Sequence, residues 1–172
     1  MGPAYARSFS RDFPRLHNRY RKKSGTTQDY NCIAWAIGEI HRPWWPDAAP
    51  DYYWPSDISP TETLEAFIAA FEKYGEYEVC VGAHHEWRFQ KIVLYVNDWG
   101  EPTHAARQTW SGVWHSKLGD NIDLTHQTLD HLAGGLYGSP ACTMRRRWTV
   151  ARFMQAVLLR IKTSDLLGWL HP

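Results

Sequence analysis

The stretch "KIVLYVNDWGEPTHAARQTWSGVWHSKLG", Lys91 to Gly119, decides the fold class. Its apolar runs are divided by "NDWGEP" (Asn97 to Pro102) and "TWSG" (Thr109 to Gly112). Asn, Asp, Pro and Gly supply the bends of hairpins, and the runs between them are rich in β-branched and aromatic residues. The stretch therefore predicts short antiparallel strands in "KIVLYVND", "PTHAARQ" and "GVWHSKLG", with "YEVCVG" (Tyr77 to Gly82) before them. Alternation places His104, Ala106 and Gln108 on one face. If Trp110, Ser111 and Gly112 form a three-residue loop with Gly in the left-handed position, Thr109 pairs with Val113 and Ala106 with Ser116. Ser116 then shares the His104 face, diagonal to it. A two-residue turn would instead set Lys117 opposite His104 and His115 diagonal.

Upstream the period becomes helical. Ile33, Ala34, Ile37 and Ile40 predict a helix over Asn31 to Ile40, with Asp29 or Asn31 able to cap it. A second helix opens after Ser59 or Thr61, buries Leu64, Phe67, Ile68 and Phe71, and ends at Gly75. The intervening "RPWWPDAAPDYYWP" (Arg42 to Pro55) is too rich in proline for regular structure. Downstream, "LTHQTLDHLAGG" predicts a third helix and "TVARFMQAVLLRIKTSDLLGWL" an amphipathic one. The class is α+β, an N-terminal helix packed on a small antiparallel sheet with an extra C-terminal helix. The organisation reads as an N-terminal arm (1–27), a core domain (28–148) and the C-terminal amphipathic helix (149–172).

Composition narrows the function. Lys and Arg number 19 against 18 Asp and Glu, so there is no strong nucleic-acid signal, although Arg19 to Lys23 and Arg145 to Arg147 are locally basic. Three cysteines cannot all pair within one chain, which favours a reducing compartment. The start of the chain lacks the apolar core of a signal peptide, and no run reaches transmembrane length. The expected location is the cytoplasm, with export lacking a cleavable signal left open. No CxxC, HExxH or close Cys/His set is present, so neither a metal nor a cofactor is expected.

The residues that could carry chemistry begin with "QDYNCIAWAIG", Gln28 to Gly38. Cys32 falls in the first turn of the first helix, where free N–H groups lower a thiol pKa. Its own amide and the Gln28 side chain, or Asn31, could form an oxyanion hole. His104, beside two small alanines, is the candidate base. Ser116 is the first candidate to orient it and His115 the second, and Asp120 or Asn121 could fold back to do so. Trp44, Trp45, Tyr53 and Trp54 follow the cysteine helix as a packed loop with an edge on a substrate cleft. The bland alternative is a buried Cys32 in a non-catalytic binding or immunity-type module that uses this loop.

A helix-start cysteine, a strand histidine and a polar residue on the next strand resemble the papain-like superfamily, with its NlpC/P60-like and transglutaminase-like branches. More closely, "YNCIAWAIG", "KIVLYVNDWGEPTHAARQ", "GVWHSKLG" and "LYGSP" are similar to a family of small uncharacterised bacterial proteins. The resemblance spans roughly Gln28 to Arg147. It implies a thiol hydrolase or transferase of amide bonds, with Cys32 as nucleophile, His104 as base and Ser116 in the third position. The implied partners are a protein or peptide substrate and, for a toxin or effector, a cognate immunity protein.

Overall fold

The computed structural model describes residues 9–47 and 51–163. The elements run β1 (Tyr20–Lys22), α1 (Cys32–Ile37), α2 (Leu64–Gly75), β2 (Glu78–Val79), β3 (Phe89–Val96), β4 (Pro102–Gln108), β5 (Trp114–Lys117), β6 (Asp123–His126), β7 (Ser139–Arg147) and α3 (Val150–Thr163). All seven strands form one antiparallel sheet, in the order β1-β6-β5-β4-β3-β7-β2. The protein is α+β.

The β4–β5 hairpin has the three-residue turn that its glycine favours. Gly112 sits at φ +84° and the Thr109 amide donates to the Val113 carbonyl at 2.8 Å. Gln108 pairs with Trp114 and Arg107 with His115, which continues to Ala106 beside Ser116.

The two faces of the sheet bury different things. On one, α1, α2 and the Trp/Pro loop cover Ile92, Leu94, Ala105 and Met144. On the other, Phe13, Leu16, Leu132 and Tyr137 cover Val93, Tyr95, Ala106, Trp114 and Leu124. Residues 9–27 of the expected N-terminal arm are thus no surface arm. Phe13 and Leu16 are buried, β1 pairs with β6, and Ser24 bonds Asp123.

Helix α1 has six residues, all buried, so it is held by packing and caps rather than propensity. Asn31 caps its start, its Oδ1 accepting from the Ala34 amide at 3.0 Å, and Gly38 at φ +110° ends it short of Ile40.

"LTHQTLDHLAGG" is not a helix. Asp123–His126 is a strand paired on both sides, followed by a 3-10 turn over Leu129–Leu132. Its leucines still face the core, but pairing with β5 and β1 satisfies the backbone as a helix would have done. Of "YEVCVG" only Glu78–Val79 is strand. Helix α3 docks through Arg152 on Glu76, Gln155 on the Gly38 carbonyl and Phe153 on Trp110, while Val150, Met154 and Leu158 stay exposed. The remainder of the predicted C-terminal helix lies outside the described residues.

Candidate active site

Cys32 lies on the floor of a groove of about 750 Å³. Gln28, Asn31, Asp120 and Asn121 line it too, with Trp45, Tyr52 and Tyr137. The thiol is buried, and burial pushes its pKa up to about 11. The amides of Ala105, Ile33 and Cys32 itself pull the other way, as does the Lys117 ammonium. The expectation of a low thiol pKa is therefore corrected: a six-residue helix has too small a dipole to offset this desolvation.

His104 is fully buried, on the sheet face opposite to Cys32. Cys32 packs with Ala105, and the next residue back along β4 points the other way. There the imidazole stacks on Tyr137, centroids 4.0 Å apart and planes 9° from parallel, with Tyr95 at its edge. Neither ring nitrogen has a hydrogen-bond partner, so the expected Cys32–His104 bond is not formed. Burial, with help from His126, holds its pKa well below the ordinary imidazole range.

Ser116 does share the His104 face but does not orient it. Its hydroxyl meets His126 Nε2 at 3.0 Å. His126 Nδ1 lies 2.8 Å from the Thr128 carbonyl and must donate there, so Nε2 accepts from Ser116. Ser116 is engaged by a histidine of "LTHQTLDHLAGG", the stretch expected to be a third helix.

The other candidates divide. His115 is on the Cys32 face, under Trp35 at 4.5 Å between centroids, with Nε2 3.5 Å from Asp123 Oδ1. Asn31 is occupied as cap, and its Nδ2 donates to the Trp44 carbonyl at 2.8 Å. Asn121 accepts from Lys117 Nζ through its carbonyl, and its side chain accepts from the Ile122 amide at 2.8 Å. Of the four aromatics assigned to substrate, Trp44 is buried against Tyr53, and Trp54 packs on Phe67. Trp45 also packs on Phe67 but has an edge on the groove.

Three residues had been given no role. Asp123, fully buried, accepts hydrogen bonds from Ser24 and from Tyr30 at 2.8 Å. Lys117, also fully buried, lies on the same face. The signal was present: an acid between Ile122 and Leu124, and a lysine inside a strand, are costly to bury unless paired. Tyr137 was quoted only within "LYGSP". Its position is set by Gly138, at φ +66°, where a Cβ would fall 2.0 Å from the Val96 carbonyl oxygen.

These features define an α+β protein with a buried thiol at the base of a groove and an unpartnered histidine behind one wall. The chain belongs to the family described as "Domain of unknown function (DUF7689)", which matches residues 21–145. No curated protein and no solved structure matches it. Among the described residues, no group of three His, Cys, Asp or Glu side chains could hold a metal ion, and no helix is long and apolar enough to cross a membrane.

Proposed function

We propose that the protein is a cysteine-dependent hydrolase or transferase acting on amide bonds (a peptidase, amidase, deamidase or transamidase), papain-like in its order of helix cysteine and strand histidine. Cys32 is the nucleophile and His104 the base. The observation that carries this reading is the orphaned imidazole of His104. A neutral imidazole brings one donor and one acceptor, and leaving both buried without partners costs stability that an apolar ring would not. A buried polar group left unpaired calls for an explanation, and a site of chemistry supplies one. The low proton affinity of His104 keeps it as the free base at neutral pH, the form that can take a thiol proton.

In the reaction, the Cys32 proton passes to His104 as sulfur adds to the carbonyl carbon. The Cys32 amide and the Gln28 side chain are the donors for the resulting oxyanion. Collapse expels the amine, which takes the proton from His104, and leaves a thioester on Cys32. Water or an acceptor amine attacks the thioester, gives its proton to His104, and the thiol recovers it on release. Because His104 faces the other side of the sheet and stacks on Tyr137, which lines the groove, β4 must turn at His104 and the Tyr137 ring move aside before Cys32 and His104 meet.

A second reading is favoured by the resting thiol, raised to about 11 and not bonded to His104. On it the groove binds a protein or peptide without chemistry, and Cys32 only packs.

Acylation separates the two. On treatment with p-nitrophenyl acetate at pH 7, peptide mapping by mass spectrometry should find one acetyl group on Cys32. It should decay with time, and it should be absent from Cys32→Ala. Acetylation confined to Cys80 and Cys142 would support the binding module.

A further inference from the structure

The basic segment at Arg19 to Lys23 has no part in the thiol chemistry, yet it borders a second cavity, of about 340 Å³, at the outer edge of the sheet. Arg19 and Arg21 line it from β1 and the residue before it, with Asn18 beside them. His126, Gln127 and His131 line it from β6 and the turn that follows. No carboxylate is among its lining residues. Both arginines are exposed, and neither makes an ion pair among the described residues. The nearby Asp130 is already bound by Arg15. His131 Nδ1 is buried without a hydrogen-bond partner.

Like charges thus converge here with no internal counter-ion. Burial and the Arg19 charge hold His131 below its ordinary value, against a smaller pull from Asp130, and His131 in turn helps to lower His126. An arrangement whose cations repel one another is relieved by an anion placed among them. Two guanidinium groups suit a doubly charged phosphate, which offers several acceptor oxygens in the geometry that arginine forks match.

We propose that the cavity between β1 and the β6 turn binds a small molecule through its phosphate monoester group. Arg19 and Arg21 hold the charge, with the His131 ring on the cavity wall beside Arg19 as its reporter. The site lies apart from the Cys32 groove and does not depend on the thiol chemistry.

The test is an NMR titration of the whole chain with inorganic phosphate, followed at the His131 ring at constant ionic strength. Saturable binding is expected, with the His131 titration moved to higher pH as the anion offsets Arg19. Arg19→Ala and Arg21→Ala should each weaken binding roughly 5- to 20-fold, as loss of a charge-assisted hydrogen bond predicts. Lys22→Ala, outside the cavity, should leave binding unchanged. Dimethyl phosphate, with one charge, should bind at least about fivefold more weakly. No saturable shift of His131, or wild-type affinity in either arginine variant, would overturn the site. Binding of a single-stranded oligonucleotide without binding of inorganic phosphate would overturn it in favour of a nucleic-acid backbone surface.

Discussion

Lowering the pH from 7 to 5 should cost about 3 to 4 kcal/mol of folding stability, well before the carboxylates titrate. The cause is the pair of buried imidazoles on one face of the sheet. His104 is held well below the ordinary range by burial and by His126. Burial lowers His126 to about 4, against its hydrogen bond to the Thr128 carbonyl. Burial keeps both neutral in the fold under conditions where, in the unfolded chain, each takes up a proton below about 6.5. The unfolded state then binds more protons, so stability is present above about pH 6.5 and falls as pH drops below it. Each imidazole contributes about 2 kcal/mol of this loss by pH 5. Urea denaturation at the two pH values measures it. His104→Phe should remove about half of the pH dependence and leave stability at pH 7 unchanged or raised, since it deletes two unpaired polar atoms. A stability profile flat between pH 7 and 5 would contradict the buried placement of both rings.

Asp123→Ala should destabilise the protein by about 3 to 5 kcal/mol, the cost of breaking a buried charge constellation from one side. Asp123 is the acid among buried groups that otherwise carry only positive charge or polar hydrogen. Lys117 is fully buried, its pKa lowered by burial and raised again chiefly by Asp123. Ser24 and Tyr30 donate to one carboxylate oxygen and His115 approaches the other. Without the carboxylate, Lys117 must deprotonate or remain charged without compensation, and the Tyr30 hydroxyl loses its acceptor. Asp123→Asn keeps an acceptor oxygen and should recover part of the loss, though not the charge. A shift in the denaturation midpoint worth less than about 1 kcal/mol for Asp123→Ala would contradict this. Burial alone would raise the Asp123 pKa, but His115, Ser24 and Tyr30 together hold it below its usual value. Its contribution is therefore present above about pH 4 and lost as pH falls through the lower folded value, outside the histidine window.

Local chemistry made parts of this arrangement legible in advance. Gly112 specified the hairpin register, and that register placed Ser116 on the His104 face. Asn31, one of the two expected caps, marked the start of the helix at Cys32, although its end at Gly38 came before the expected Ile40. In each case a single residue type answers a local backbone requirement, so no distant contact is needed to read it. What stayed hidden depends on pairing far along the chain. "YRK" becomes a strand only because β6 lies beside it, and "SPACTMRRR" only because β3 and β2 flank it. Alternation also shows which residues share a face, but not which face a helix will cover. That ambiguity separated His104 from Cys32: α1 packs on the Ala105 side, and His104 turns toward Tyr95 and Tyr137. Asp123 was passed over because a helical period in the leucines masked the strand that buries it.

The most direct measurement is the pH dependence of Cys32 acetylation by p-nitrophenyl acetate between pH 5 and 9, compared with His104→Phe. With His104 as base, the wild-type rate should be nearly level over this range, because the thiol and the free imidazole are both fully populated. The variant should be slower at pH 7 by about a hundredfold and rise about tenfold per pH unit, following only the thiolate of a group near 11. If the two profiles coincide and both climb tenfold per unit, His104 takes no proton from Cys32 and the catalytic assignment fails.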